Sequence, residues 1–131
     1  AAQVAQGTMA SGMVLVAPAL GTPASGVMTN VTGTAAGLTA DAGSAQGNGV
    51  ITSTYNIYST VATTGDAATL PATFAVGTII YIKNDGANSM DVFPASGDDA
   101  GAGADTAVAI AAGVGAAFIG TTADAVWTQL Y

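Results

Sequence analysis

The stretch "IIYIKNDGANSMDVFP", Ile79–Pro94, decides how this sequence is read. Two runs with apolar residues at every second position flank Asn84-Asp85-Gly86, and alternation with a period of two is the mark of a strand with one buried side. An Asn-Asp-Gly cluster between such runs is a strong short-range signal for a β-hairpin. Pairing the runs about Gly86 sets Lys83 opposite Ser89, Tyr81 opposite Asp91 and Ile79 opposite Phe93, with Ile82 opposite Met90 and Ile80 opposite Val92. The second set is purely apolar, so Ile80, Ile82, Met90 and Val92 are the expected core residues. The first set is mixed. It places Lys83 diagonal to Asp91, within reach of an ion pair worth about 0–1 kcal/mol when exposed. Ile79, Tyr81 and Phe93 then need cover from a second sheet or another subunit.

Composition agrees with a β reading. The 131 residues include one Lys, no Arg and no His, and all eight acidic residues are Asp. Helix surfaces ordinarily use Glu, Lys, Arg and Gln, which lose little freedom in a helix. Those types are nearly missing, whereas Thr and Val favour strands and Gly and Asp favour turns. The expectation is an all-β domain, a sandwich or barrel of short antiparallel strands, over residues 49–131. Its strands are sought in "VITSTYNIYSTVATTG", "ATLP", "GTIIYIKNDG", "SMDVFP", "TAVAIAAG", "GAAFIGT" and "DAVWTQLY", with turn signals about every ten residues. In the first of these, Ile51, Tyr55, Ile57 and Val61 share a parity that Tyr58 does not. Ala107–Gly120 has no charge but is shorter than the ~20 apolar residues of a membrane helix, and it is read as a hairpin about Gly113-Val114-Gly115.

Residues 1–48 carry a single charge, Asp41. "MVLVAPAL" (Met13–Leu20) is a short strand candidate ended by Pro18, and the remainder is a Gly/Thr/Ser/Ala mixture. This region is expected to be an arm, or loosely packed strands and loops, in contact with neighbours. No basic segment precedes an apolar one, so no signal peptide is expected. Much of the apolar content is Ala, which buries little area at about 25 cal/mol per Å². Contacts with other subunits are therefore expected to supply part of the stability.

The same inventory narrows function. A net charge of −7 with one cation is incompatible with neutralising phosphates, so neither nucleic acid nor an anionic membrane is an expected partner. Without His, Cys, Arg or Glu there is no Ser-His-Asp or Cys-His constellation and no His or Cys metal site. Lys83 as a Schiff-base residue would need burial, which its place beside a turn opposes. Paired Asp residues are the tool of glycoside hydrolysis, but such clefts call for more aromatics and a larger scaffold. "GVGAAFIG" lacks the lysine of a phosphate loop. The loop "SGDDAGAGAD" (Ser96–Asp105) gathers Asp98, Asp99 and Asp105, a composition that suits Ca²⁺, but it departs from the EF-hand pattern and reads as a solvated turn. No enzyme, metal or cofactor is expected. Tyr and Trp are enriched at interfaces, which makes Ile79, Tyr81, Phe93 and Trp127 the candidate interface residues.

An ordered series of short segments carries a resemblance. Ala68-Thr69-Leu70-Pro71 is followed by Gly77, by Ile79–Ile82 and by Asn84-Asp85-Gly86-Ala87-Asn88. Val92-Phe93-Pro94-Ala95-Ser96-Gly97-Asp98, Ala111-Ala112-Gly113, Phe118 and Trp127 complete it. Over residues 50–131 the chain resembles virion proteins of tailed bacteriophages, in particular capsid decoration (cement) proteins and head or tail fibres. The resemblance implies a β-rich subunit, often trimeric, assembled in the host cytoplasm onto the capsid surface, with the major capsid protein as its partner. Lacking a long shaft or repeats, the chain fits the decoration type better than a fibre. The alternatives are a receptor- or glycan-binding fibre module and a self-assembling surface-layer or pilus-like subunit whose residues 1–20 donate a strand.

Overall fold

The computed structural model describes residues 33–131; the strand expected at Met13–Leu20 and the rest of residues 1–32 lie outside them. The described chain is all-β. Its strands are β1 (Thr34–Thr39), β2 (Tyr55–Thr60), β3 (Asp66–Thr69), β4 (Ile79–Asn84), β5 (Met90–Phe93), β6 (Val108–Ile110), β7 (Gly115–Thr122) and β8 (Val126–Gln129). They form a five-stranded sheet in the order β1-β2-β4-β7-β8 and a three-stranded sheet in the order β3-β5-β6. Between the sheets lies one core. The larger sheet sends in Tyr58, Ile80, Ile82, Phe118 and Trp127, and the smaller sends in Ala68, Met90, Val92 and Ile110.

The strands fall where the alternation places them, but their partners differ from the expected hairpins. β4 and β5 do not pair. β4 lies between β2, which is parallel to it, and β7, which is antiparallel. β5 lies between parallel β3 and antiparallel β6. The turn through Gly86 is thus a crossover from one sheet to the other. The same correction applies at Gly113, since β6 belongs to the small sheet and β7 to the large one. With β1–β2 also parallel, both sheets are mixed rather than antiparallel. Ile80, Ile82, Met90 and Val92 are buried as expected, because inward alternation depends on the pleat and not on the identity of the neighbouring strand.

Asn84 explains the crossover. It is fully buried, and its Nδ2 donates to the carbonyls of Asn88 and Ile110, each at 2.9 Å. Its Oδ1 accepts the Gly86 N–H at 3.0 Å. One amide thereby turns the chain locally and ties it to the end of β6. Its backbone adds two bonds to the other crossover, donating to Val114 O and accepting from Gly113 N. Gly86 is required for a steric reason: a Cβ there would lie 2.6 Å from the Val61 backbone nitrogen.

Residues 33–48 belong to the region expected to be an arm or loosely packed strands and loops. β1 forms an edge of the large sheet, and Asp41 exchanges backbone hydrogen bonds with Ala67 of β3. At the other edge, the loop before β4 lays Phe74 over Trp127, with ring centroids 3.9 Å apart. Phe74 is held there by its backbone N–H, which donates to Asp124 Oδ1 at 2.6 Å. Gly120 makes room for it, since a Cβ at that position would stand 2.5 Å from the Phe74 ring. Tyr58 faces inward although its parity sets it apart from Tyr55 and Ile57, and burial pushes its phenol up to about 12.

A candidate interaction face

The four candidate interface residues do not form one patch. Ile79 and Tyr81 lie on the outer side of β4, in the large sheet. Phe93 is half-buried on the outer side of β5, in the small sheet. Their separation follows from the crossover, because strands of opposite sheets present their outer faces in opposite directions. Trp127 is no interface residue: it is fully buried, enclosed by Phe74 and the core. Its inward direction is set by pairing with Gly120, next to inward-facing Phe118 on the neighbouring strand's pleat.

Around Ile79 and Tyr81 the register builds a larger surface. Tyr55 of β2 pairs with Tyr81, and the two rings stack at 4.4 Å with planes 9° apart. Ile79 is opposite Ile119 of β7, and the Leu130 N–H donates to Ala117 O, which brings Leu130 to the same side. Ile57 pairs with Lys83 at the other end. Tyr55 is 48% and Leu130 50% exposed, large fractions for such side chains. A shallow depression of about 230 Å³ opens beside the stack, bordered by Tyr55, Ile57, Tyr81, Lys83, Gly115 and Tyr131. Sequence reading missed Tyr55, Ile57, Ile119 and Leu130 here. For Tyr55 and Ile57 the available signal is their shared parity within one strand; Ile119 and Leu130 join them only through the pairing of β7 with its neighbours.

Charge is distributed unevenly about this face. The five strands of the large sheet contain no Asp; Asp66 and Asp91 lie in the small sheet, and the other six are in loops. Lys83 does not meet Asp91, as the hairpin register would require. It pairs with Asp85 at 3.2 Å and its Nζ donates to Gly113 O. Asp91, in the other sheet, accepts the Ser44 hydroxyl at 2.7 Å. Both Lys83 and Asp85 are substantially exposed, so their pair adds at most about 1 kcal/mol.

The acidic loop is organised by its own backbone. Asp99 Oδ1 accepts from the N–H groups of Gly101 at 2.6 Å and Gly103 at 3.0 Å. Asp105 Oδ1 accepts from Gly97 N at 2.6 Å and Gln46 Nε2 at 3.0 Å. Asp98 is buried and its Oδ2 has no hydrogen-bond partner among the described residues. Among the described residues, no three carboxylates come together as a metal site. Elsewhere Asp66 gathers its own shell, accepting from Thr63 N at 2.9 Å, Thr63 Oγ1 at 2.7 Å, Ala62 N at 2.8 Å and Gly43 N at 3.3 Å.

These surroundings make a testable acid profile. The hydrogen bonds from Thr63, its backbone first, hold the Asp66 carboxyl below the usual range; those from Gly97 and then Gln46 do the same for Asp105. Both groups contribute stability that is complete above the unfolded carboxylate value and is lost as pH falls through the lower folded values. Asp98 has the opposite sign. Burial first, then the charges of Asp124 and Asp105, raise it. Its ionised form costs stability, and that cost is relieved as pH falls from its folded value to the unfolded one. Thermal melts are thus expected to show a rise in Tm on mild acidification and a fall below about pH 3.9. Asp98→Asn removes the rise and Asp66→Asn flattens the fall. A wild-type Tm that declines steadily from neutrality contradicts this assignment.

No family model matches the chain, and no curated protein matches it.

Proposed function

We propose that this protein is a structural subunit of a tailed-bacteriophage virion, a decoration protein that binds the outer surface of the capsid as an oligomer. The observation that carries the oligomeric part of the reading is the outer face of the five-stranded sheet, a largely apolar, Tyr-bearing surface whose strands hold no Asp on a chain of net charge −7. A stacked Tyr pair left half in water is the kind of group that interfaces bury. The resemblance over residues 50–131 gives the partner its identity, the major capsid protein, and implies a trimer at the virion surface. The mechanism is mass action: a subunit that binds the assembled shell, and not its separated parts, stabilises the shell by RT ln(1 + [L]/Kd).

The test is direct. Purified protein is mixed with empty expanded shells, and co-sedimentation and the shell melting temperature are measured. Binding with a rise in shell Tm is expected, and protein that stays in the supernatant at saturating shell concentration contradicts the reading.

A second reading, a glycan-binding module of a fibre, is favoured by one feature. The depression beside Tyr55, Tyr81 and Tyr131 offers aromatic faces of the sort that stack on sugar rings. Binding to host cells without binding to shells would select it.

A further inference from the structure

We infer that the outer face of the five-stranded sheet is turned inward against other copies of this same chain, so that shell contacts are made by other surfaces. This deepens the reading above, resting on it only for the role of the shell.

The argument starts from electrostatics. Each copy carries a net charge of −7, so two copies repel wherever their acids come close. Strands β1, β2, β4, β7 and β8 hold none of the eight Asp residues. A partner of different composition sets no such condition on this surface. An identical, equally acidic partner does, and this face meets it.

The one charged pair at the margin has the right form for self-association. Lys83 is the sole cation of the chain, and Asp85 stands 3.2 Å away at the end of the same strand. Where a rotation axis passes beside this margin, the lysine of one copy can meet the aspartate of the next, and the symmetry repeats that pair at every interface. The middle of the surface is apolar: Tyr55 and Leu130 are about half exposed, and Ile57, Ile79, Tyr81 and Ile119 are half-buried beside them, with the uncharged hydroxyls of Ser59, Thr121 and Thr128 toward the margins. Sheets packed face to face stand about 10 Å apart and bury such alternate residues completely. The contact would supply apolar burial that an Ala-rich core of this size lacks.

Sedimentation velocity and light scattering at micromolar concentration provide the test. Wild type is expected at two or three times the 12.5 kDa chain mass. Ile119→Asp places a carboxylate in the middle of the face and is expected to give a monomer. Its far-UV circular dichroism and the blue-shifted emission of buried Trp127 report whether it is folded. Should Ile119→Asp fail to fold, Tyr55→Asp at the more exposed margin serves in its place, with the same expected loss of mass. Phe93→Asp, on the small sheet, is the control and keeps the oligomer. Monomeric wild type overturns the inference, as does an oligomer that survives the acid on this face or one that only Phe93→Asp dissolves. Shell co-sedimentation run alongside separates the two readings. A folded wild-type monomer that binds shells leaves the decoration role standing and removes this interface. An oligomer that dissociates as described and ignores shells does the reverse.

Discussion

Replacing Trp127 by alanine is expected to cost about 3–5 kcal/mol of folding stability, the range for truncating a buried large aromatic. The value should lie near the top of that range. Trp127 has no exposed surface and packs against the tilted ring of Phe74, whose loop is fixed to Asp124. Removing the indole therefore takes the support from a second aromatic ring as well as opening a cavity. Total stabilities of small domains are only about 5–15 kcal/mol, and here many core neighbours are alanines unable to expand into the space. At about 4–8 °C per kcal/mol for a domain of this size, the melting temperature should drop by more than about 12 °C. Trp127→Phe is the informative companion. The indole Nε1 has no hydrogen-bond partner among the described residues, so phenylalanine forfeits volume but no bond seen there, and its loss should be the smaller. A Trp127→Ala protein that melts within a few degrees of wild type would show that the ring is not the centre of this core.

Asn84→Leu is expected to be comparably damaging, through polarity and not volume. The leucine roughly fills the space but leaves the Asn88 carbonyl and the Gly86 N–H without their side-chain partner, and leaves the Ile110 carbonyl only the longer bond from Ser89 Oγ at 3.3 Å. An unsatisfied buried group costs about 1–3 kcal/mol, so two together predict a loss of about 2 kcal/mol or more, to which the weakened Ile110 contact adds. Asn84→Asp separates the contributions, since it keeps the acceptor for Gly86 but turns a carboxylate oxygen toward two carbonyls. Urea denaturation gives the measurement. Near-equal midpoints for wild type and Asn84→Leu would mean that the two crossovers hold without this amide.

Asn84 also marks where sequence reading stops. The alternating runs on either side reveal two strands and their buried sides, because a period of two is a property of each strand alone. What the Asn-Asp-Gly segment leaves open is whether the chain folds back beside itself or passes to a second sheet. The residue types are equally suited to both. The deciding bond runs from Asn84 to Ile110, a partner 26 positions away with no local signature. The parallel pairs β2–β4 and β3–β5 are hidden for the same reason, since such neighbours are joined by long connections.

The candidate surface was legible in half. Ile79 and Tyr81 follow from being opposite the apolar side of their strand. A hairpin register groups Phe93 with them, whereas the observed pairing puts it in the other sheet. Residue type points Trp127 to an interface, yet its environment depends on Phe74, which lies in a loop without strand periodicity. The segments that carry the bacteriophage resemblance include Leu70, Ile80, Ile82, Asn84, Val92, Phe118 and Trp127, all buried. They speak for the architecture, and the surface has to speak for the partner.

The solitary lysine has a use of its own. Trypsin cleaves after Lys or Arg, so the chain has one tryptic bond, Lys83–Asn84. That bond lies at the end of β4, a strand hydrogen-bonded on both sides, and Asn84 is sealed in the interior. A protease cannot draw such a segment into its active site while the sheet is intact, so cutting follows the population of molecules in which the central strand has opened. Digestion into two fragments, 1–83 and 84–131, is then a single-site clock for opening of the sheet. It reads the free energy of opening the native sheet with no label or added probe.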